Sequence, residues 1–156
     1  MKMVRSSFPL RGMIDVPVVL NVSTQGKGLY EITDLVQEAV AETGGSGMDG
    51  LCTVFMQHTS ASLTIQEIAD PSARRDLEDW LERSVPEHDP AYTHVDEGPD
   101  DMPSHIRSML TDVSLGIPVQ SGRLMLGTWQ GIYLCEHRRA PHARRVVVVV
   151  TPACSG

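Results

Sequence analysis

The chain has 156 residues, a length typical of one domain that buries a hydrophobic core without disulfides or structural metal ions. Hydrophobic residues make up 41% of it, which predicts a folded protein. Thirteen lysines and arginines against twenty aspartates and glutamates give a formal net charge of -7. This acidic balance argues against a nucleic-acid-binding surface.

The first half of the chain predicts four strands and one helix. Runs of β-branched residues indicate the strands, and apolar residues recurring every three or four positions indicate the helix. Pro17 lacks an N–H, which favours a sheet edge or a bulge for the first strand. In chain order the predicted elements are strands within 13–22 and 24–32, a helix at 33–43, a glycine-rich loop at 44–50, and strands at 51–57 and 62–67.

The second half predicts two helices followed by two strands, at 124–137 and 145–151. Asp70 is a good N-cap for the first of these helices, and Pro71 suits its first position. The residues expected to face the core are Ala73, Leu77, Trp80, Leu81 and Ser84 in that helix, and Ile106, Met109 and Leu110 in the shorter helix at 102–110.

The run of five valines at 146–150 is apolar on both faces of a pleated strand. It therefore needs cover on both sides, from a second sheet, a helix or another subunit. The predicted order β-β-α-β-β-α-α-β-β is mixed rather than alternating. We expect an α+β fold with packed sheets, a mixed β-sandwich with a few helices, in a single domain spanning residues 1–156.

The N-terminal 21 residues hold no apolar run of the length found in signal peptides or membrane-spanning helices. The three cysteines form no C-x-x-C pair and leave an odd one over, which fits a reducing compartment: Cys52, Cys135 and Cys154. We expect a cytoplasmic protein that has no membrane partner.

Three histidines lie at positions suited to a binding site. His58 ends a buried strand, and His94 and His105 flank an acidic loop. Imidazole is the commonest metal ligand, and a catalytic zinc ion takes about three protein ligands. Each histidine also has a structural alternative: a backbone hydrogen bond, a solvated side chain, or a helix start. The other histidines are expected to be solvated: His88, His137 and His142.

Two adjacent acids, Asp100 and Asp101, precede the shorter helix. One of them is expected to cap that helix. The other is then free for a metal ion, for a histidine nitrogen or for proton transfer. If several acids of this loop met one ion, Mg²⁺ would suit the oxygen ligands better than zinc.

Further polar residues occur beside the buried strands. Thr59 and Ser60 favour anion binding over serine catalysis, because adjacent strand residues point to opposite faces and no G-x-S-x-G motif is present. Gln130 and Glu136 within a buried strand need polar partners, from a pocket or a subunit interface. Arg123 either contacts an anion or is a solvated turn residue.

Three segments together resemble the YjbQ family, also called UPF0047: HTSASLTIQEIADPSARRDLEDW, YTHVDEGPDDMPSHIRSML and GRLMLGTWQGIYLCEHR. The likeness runs in order from about residue 12 to residue 151. It implies an α+β sandwich that assembles as a homotrimer and, in some members, a secondary thiamine-phosphate synthase activity. That reaction joins a pyrimidine pyrophosphate to a thiazole phosphate and releases pyrophosphate.

The resemblance also implies a site. The matching positions are His58, His94, Asp101, His105, Gln130 and Glu136. We expect the three histidines to hold a divalent metal ion, zinc or magnesium, and the other three residues to act in catalysis. Thr59, Ser60 and Arg123 are the expected contacts of a phosphorylated small molecule. Gln66 and Ile68 stand where family members often carry asparagines, which would alter substrate choice if those asparagines touch the ligand.

Two functions of different class follow. The first is an enzyme that assists loss of a phosphate-type leaving group at the histidine and acid pocket. The second is a non-catalytic trimeric module that binds a metal ion or a phosphorylated metabolite. The second is favoured by the lack of an activated nucleophile identifiable in the sequence.

Overall fold

The computed structural model describes residues 16–44 and 47–153. The predictions made for residues 1–15, for positions 45–46 of the glycine-rich loop and for Cys154 lie outside these ranges. Within the described residues the strands are β1 (Val18–Thr24), β2 (Gly28–Glu31), β3 (Gly50–Met56), β4 (Ala61–Glu67), β5 (Ser114–Gln120), β6 (Arg123–Leu124), β7 (Gln130–Glu136) and β8 (His142–Pro152). The helices are α1 (Thr33–Gly44), α2 (Pro71–Ser84) and α3 (Asp101–Leu110).

The strands form two antiparallel sheets. The larger sheet has the order β1-β8-β3-β5-β6, and the smaller has the order β2-β7-β4. The valine-rich β8 lies between β1 and β3, with Val148 opposite Val18 on one side and Val54 on the other. β1 is an edge strand, as Pro17 immediately before it predicts.

The hydrophobic core lies between the two sheets and α1. Side chains alternate along a strand, so Val146, Val148 and Val150 of β8 all point inward and are buried. They belong to one cluster with buried residues of α1 and of the smaller sheet, including Val36 and Leu134. This arrangement confirms the predicted α+β class with packed sheets.

The outer face of the larger sheet lacks a cover among the described residues. Leu51 and Phe55 of β3 are each 45% exposed, and Val147 and Val149 of β8 are half-buried. The valine run is thus covered on one side only, and the second cover predicted for it is not supplied by the described part of the chain.

Two strand predictions were wrong. The segment 124–137 is not one strand, because residues 125–129 leave the sheet between β6 and β7. The hydrogen bond from Gln130 N–H to the Gly127 carbonyl, 3.0 Å, closes a turn there. β5 was not predicted, although its buried and exposed residues alternate strictly. Gly116 and Pro118 lie on its exposed face and obscure the strand pattern in the sequence.

The N-terminal cap predicted for α2 is confirmed. The N–H of Ser72 donates to the side chain of Asp70 over 2.8 Å, and Pro71 occupies the first helical position. Helix α2 is less buried than predicted. It lies on the surface, and Trp80, which was expected to face the core, is 50% exposed.

The predicted core face of α3 is wrong. Met109 and Leu110 are 85% and 53% exposed, and the buried residues are mostly polar. They are Asp101, Pro103, Ser104, Arg107 and Ser108. Polar side chains can face inward here because each has hydrogen-bond or ionic partners there, which offsets its desolvation.

Candidate metal and ligand site

His94, Asp101 and His105 form one cluster where the acidic loop enters α3. One carboxylate oxygen of Asp101 lies 2.8 Å from Nε2 of His94 and 3.3 Å from Nε2 of His105. One potential ligand atom from each of the three residues lies within 4.8 Å of the others. Asp101 and His105 share a face of the helix because they are four residues apart.

The backbone orients the ring of His105. Its Nδ1 lies 3.0 Å from the carbonyl oxygen of Thr59, which can only accept a hydrogen bond. In the neutral ring Nδ1 therefore carries the proton, and Nε2 presents a lone pair towards Asp101. A ring held in this way is typical of metal-binding histidines.

Arg138 holds the acidic loop against the end of β7. Its guanidinium contacts Asp101 through Nη1, Asp100 through Nε at 3.2 Å, and the Glu97 carbonyl through Nη2 at 2.8 Å. It binds the Asp101 oxygen that faces away from the histidines. Asp101 is 2% exposed, so its carboxylate is fixed by these contacts.

Asp100 does not cap α3 through its side chain. Its carboxylate instead accepts hydrogen bonds from the Arg139 N–H, at 2.8 Å, and from Arg138. Burial raises the pKa of Asp100, but these hydrogen bonds and the Arg138 charge outweigh it and leave the pKa below its usual value. Asp100 thus occupies the N-cap position, as predicted, but its carboxylate makes no cap hydrogen bond, because its competing donors lie far away in the sequence.

The donor set of the cluster suits a divalent transition metal. Two imidazole nitrogens and one carboxylate oxygen match the ligands of catalytic zinc sites. Metal–ligand bonds of about 2.0–2.2 Å in tetrahedral geometry place ligand atoms roughly 3.3 Å apart. The 3.3 Å separation of Asp101 from His105 matches that value, whereas the 2.8 Å separation from His94 is shorter and has the length of a hydrogen bond. A third nitrogen ligand is absent from the cluster among the described residues.

A cavity of about 410 Å³ opens beside the cluster. His94, whose side chain is 48% exposed, contributes to its wall. Tyr92, Val95, Pro99 and Met102 supply an apolar lining. Its volume falls in the range of small-molecule pockets, about 300–1,000 Å³.

The structure does not bring His58 to this cluster. Nε2 of His58 accepts a hydrogen bond from the Arg145 N–H over 2.9 Å, so its backbone partner is an N–H group rather than the expected carbonyl. Burial and the charge of Arg144 lower the pKa of His58, so the neutral ring is favoured. The predicted set of three histidine ligands is therefore reduced to two within the described chain.

Glu136 lies in a buried ion pair away from the histidine cluster. Arg144 donates to both of its oxygens, at 2.6 and 2.7 Å, and Thr24 and the Arg138 N–H add bonds of 2.7 and 3.0 Å. Burial raises the pKa of Glu136, but these partners lower it below its usual value. With every acceptor position occupied, this carboxylate stabilises the fold and is not available to a substrate.

The other predicted site residues are dispersed. Gln130 accepts a hydrogen bond from the Gly127 N–H over 2.8 Å and stabilises a turn. Thr59 contributes its backbone carbonyl to the cluster, while the Ser60 carbonyl is 3.4 Å from the guanidinium of the buried ion pair. The exposed side chain of Arg123 lies on β6 and has no hydrogen-bond or ionic partner among the described residues.

Sequence reasoning missed two features of the site region. Arg138 was not identified, because its acidic partners lie 37 and 38 residues earlier in the chain. His137 was predicted to be solvated but is 2% exposed, and its Nε2 lies 2.7 Å from the hydroxyl of Ser62. The apolar run at 131–135 offered a signal, since a strand that is buried on both faces and continues past Glu136 also buries the next residue.

These features define a class of protein: a small α+β domain of two antiparallel sheets with a histidine–carboxylate cluster at the start of a surface helix. A model of the family "UPF0047 protein YjbQ-like" matches residues 18–153. The chain belongs to this YjbQ-like UPF0047 family, which confirms the resemblance carried by its motifs.

Relatives and solved structures agree with this assignment. A UPF0047 protein from Synechocystis is 51% identical over 133 residues, covering 85% of this chain and 89% of that protein. The UPF0047 protein YjbQ of Escherichia coli O157:H7 is 42% identical, with coverages of 84% and 94%. A conserved hypothetical protein from Thermus thermophilus superimposes with a TM-score of 0.76 at 38% identity, over 86% of this chain and 99% of that one.

Among the described residues, no helix combines the length and the apolar character that a membrane span needs.

Proposed function

We propose that this protein is an enzyme that uses a divalent metal ion, held by His94, Asp101 and His105, to act on a phosphorylated small molecule. The observation that carries the proposal is the convergence of three ligand atoms within 4.8 Å of one another. Zinc fits the two nitrogens and one oxygen better than magnesium, which prefers oxygen ligands.

The residues of the cluster have separate roles in this proposal. Asp101 offers one oxygen to the ion, while Arg138 occupies the other and prevents the carboxylate from rotating. His105 is held by the Thr59 carbonyl, and His94 borders the open cavity where a ligand enters. When bound, the ion would offset negative charge on phosphate oxygens and on a departing pyrophosphate.

The cavity beside His94 suits the part of the substrate that carries no phosphate. Its apolar lining residues, among them Tyr92, Val95 and Met102, would pack against an organic ring. The carboxylate of Asp89 also lines it and would repel a phosphate group, whereas the charge of Glu87 is offset by its ion pairs with Lys27 and Arg139. The phosphate is therefore expected at the metal ion and the ring in the cavity.

Thiamine-phosphate synthesis, which the family resemblance implies, is the reaction we propose. The pyrimidine carbon that loses pyrophosphate forms its new bond to the thiazole nitrogen, so the substrates supply both nucleophile and leaving group. Such a reaction needs no activated protein nucleophile. This agrees with Cys52 and Cys135, whose pKa values burial raises to about 11 and about 12. These buried free thiols also suit the cytoplasm, where we place the protein.

The second candidate is a non-catalytic homotrimeric module that binds a metal ion or a phosphorylated metabolite. The uncovered face of the larger sheet, with Leu51 and Phe55 each 45% exposed, favours assembly of identical chains. Assembly is compatible with either function, so activity distinguishes the two candidates.

The first experiment is elemental mass spectrometry of protein purified without a histidine tag. We expect about one transition-metal ion per chain in the wild type and its loss in the double variant His94→Ala/His105→Ala. The control variants His88→Ala and His58→Ala should keep the metal, because neither ring belongs to the cluster. Equal metal content in all four proteins would contradict the proposed site.

The second experiment measures pyrophosphate release from the pyrimidine pyrophosphate in the presence of thiazole phosphate. We expect release by the metal-loaded wild type and its loss in Asp101→Asn, whose amide is a weaker ligand. A wild-type protein that binds the metal but releases no pyrophosphate would support the binding module instead.

A further inference from the structure

Three polar side chains, of Asn21, Arg145 and Gln57, form a row across the outer face of the larger sheet. Asn21 of β1 lies directly opposite Arg145 of β8 in the strand register. On the other side of β8, the N–H of Gln57 donates to the Arg145 carbonyl over 3.1 Å, so Gln57 extends the register of β3 with β8. Residues opposite each other in neighbouring antiparallel strands share a face, with Cβ atoms about 4.5–5.5 Å apart. The side chain of Arg145 therefore stands between two amide side chains.

The side chains of this row are free to bind a ligand. Arg145 and Gln57 are exposed, and Asn21 is half-buried. Within the described ranges, none of the three side chains has a hydrogen-bond or ionic partner, and the contacts of Arg145 and Gln57 are made by their backbone. Arginine carries five N–H donors and no acceptor, and each amide adds two donors. The row thus presents donors from three neighbouring strands to one ligand.

The charge of this face favours an anion. The described strand residues of the larger sheet that point outward include two arginines, Arg145 and Arg123, and no acid. The chain as a whole is acidic, with a formal net charge of -7. Behind the row, the buried carboxylate of Glu136 is already paired with Arg144. A guanidinium beside neutral donors, with no carboxylate on the same face, is suited to a phosphate group.

The row lies close to the proposed metal site. Gln57 is two residues before Thr59, whose carbonyl oxygen lies 3.0 Å from Nδ1 of His105. Two residues of chain span at most about 7 Å. The ring of His58, between them, accepts the Arg145 N–H over 2.9 Å and holds this loop against β8. The row and the histidine cluster therefore flank the same short loop.

We propose that Asn21, Gln57 and Arg145 bind the phosphate group of a phosphate monoester, as a subsite separate from the metal ion. This inference rests on the proposed function and deepens it, because that reaction takes two phosphorylated substrates. The metal ion accounts for the pyrophosphate, and the described residues lining the cavity beside His94 include no lysine or arginine. The thiazole phosphate, which keeps its phosphate, needs a second cationic site, and the row supplies one.

Assembly through the centre of the outer face would leave the row open to a ligand. Gln57 and Arg145 lie two strand positions beyond Phe55 and Val147, at the end of this face. The rim of a subunit interface is polar and accessible to solvent. The subsite is therefore compatible with the proposed homotrimer.

The test titrates methyl phosphate into ¹⁵N-labelled full-length protein while the backbone amide shifts are followed by NMR. The double variant His94→Ala/His105→Ala is titrated in parallel, so that a metal ion cannot account for the binding. We expect saturable shifts at Asn21, Gln57 and Arg145 in both proteins, in the millimolar range that befits so small a ligand.

Two variants test the assignment. Arg145→Gln should weaken methyl phosphate binding about ten-fold or more, because the charge-assisted hydrogen bonds to the phosphate are lost. The matched control is Arg123→Gln, which removes the other arginine of the same face, on the edge strand β6, and should bind as the wild type does. Both substitutions remove one positive charge, so their comparison separates the row from general attraction of an anion.

Two results would overturn the subsite: no saturable methyl phosphate shift at the row, or equal binding in Arg145→Gln and Arg123→Gln. In the pyrophosphate-release assay, Arg145→Gln should raise the KM for the thiazole phosphate and leave the metal content unchanged. Release with an unchanged KM would remove the row from the reaction and leave the proposed function standing. Methyl phosphate binding at the row of a protein that releases no pyrophosphate would support the subsite and contradict the proposed reaction.

Discussion

Arg138 holds Asp101, the carboxylate that lies between His94 and His105. It contacts the Asp101 oxygen that the histidines do not use and ties two further groups of the acidic loop to the end of β7. Outer partners of this kind orient metal ligands and tune their basicity. At the proposed metal site the side chain would therefore act through Asp101, as a positioning residue.

We predict that Arg138→Gln weakens metal binding about 10–100-fold, as loss of an outer partner typically does. The matched control is Arg139→Gln, because the Arg139 side chain contacts Glu87 and only its backbone N–H reaches Asp100. Metal affinity is measured by competition with a chelator of known affinity. Equal affinities in the two variants would mean that Arg138 has no positioning role.

His137 should make folding stability depend on pH. Burial, followed by the charge of Arg107, lowers the pKa of His137 to about 3. The unfolded chain binds a proton at this ring below a pH of about 6.5, whereas the folded chain does not, so stability falls as the pH drops from about 6.5 towards 3.

The slope is about 1.4 kcal/mol per pH unit in this window. Between pH 7 and pH 5 the free energy of unfolding of the wild type should therefore fall by about 2 kcal/mol more than that of His137→Gln, whose side chain does not titrate. Urea denaturation at the two pH values measures both changes. Equal losses in the two proteins would show that His137 titrates similarly in the folded and unfolded chains. The lowered pKa of His58 affects both proteins alike and cancels in the comparison.

At the scale of the strands, two glycines of neighbouring strands differ in the space around them. A Cβ atom at Gly50 of β3 would lie 2.3 Å from the carbonyl oxygen of Thr151 in β8, which is backbone and cannot move alone. A Cβ atom at Gly116 of β5 would meet only the end of the Leu51 side chain, at 3.8 Å.

We therefore predict that Gly50→Ala destabilises the protein by about 1–3 kcal/mol, because strand β8 must shift to admit the methyl group. Gly116→Ala should change the free energy of unfolding by less than about 0.5 kcal/mol. Urea denaturation of both variants provides the measurement. The prediction fails if the two substitutions have the same effect.

Most strands and helices could be predicted because their signals are local. Three examples each span only a short stretch of sequence: the apolar run of β8, the capped start of α2 and the spacing from His94 to His105. The inward face of α3 could not be predicted, since its buried polar residues depend on partners elsewhere, such as the Val85 carbonyl for Arg107. The position of His58 beside the Arg145 N–H likewise depends on a contact 87 residues away.

At the scale of the whole molecule, the face of the larger sheet that the described residues leave uncovered is the candidate interface of the proposed homotrimer. Phe55 and Leu51 project from the centre of this face, beside Val147 and Val149. Contiguous apolar surface of this kind is typical of subunit interfaces.

We predict that the wild type sediments as a trimer and that Phe55→Asp dissociates it, because the new carboxylate would be buried without a partner. Met125→Asp is the matched control, since Met125 is 54% exposed and lies outside the strands of this face. Sedimentation velocity measures the assembly state. A monomeric wild type, or a trimeric Phe55→Asp protein, would contradict the prediction.

The contacts between Arg138 and the acidic loop also affect the stage of folding at which the histidine cluster forms. Its contact with Asp101 spans 37 residues, and that of His105 with Thr59 spans 46. Contacts between such distant residues require large loops to close, so we expect both to form late in folding, and that of Arg138 only after β7 has joined its sheet. A metal ion bound at the completed cluster would therefore retard unfolding while leaving the folding rate nearly unchanged.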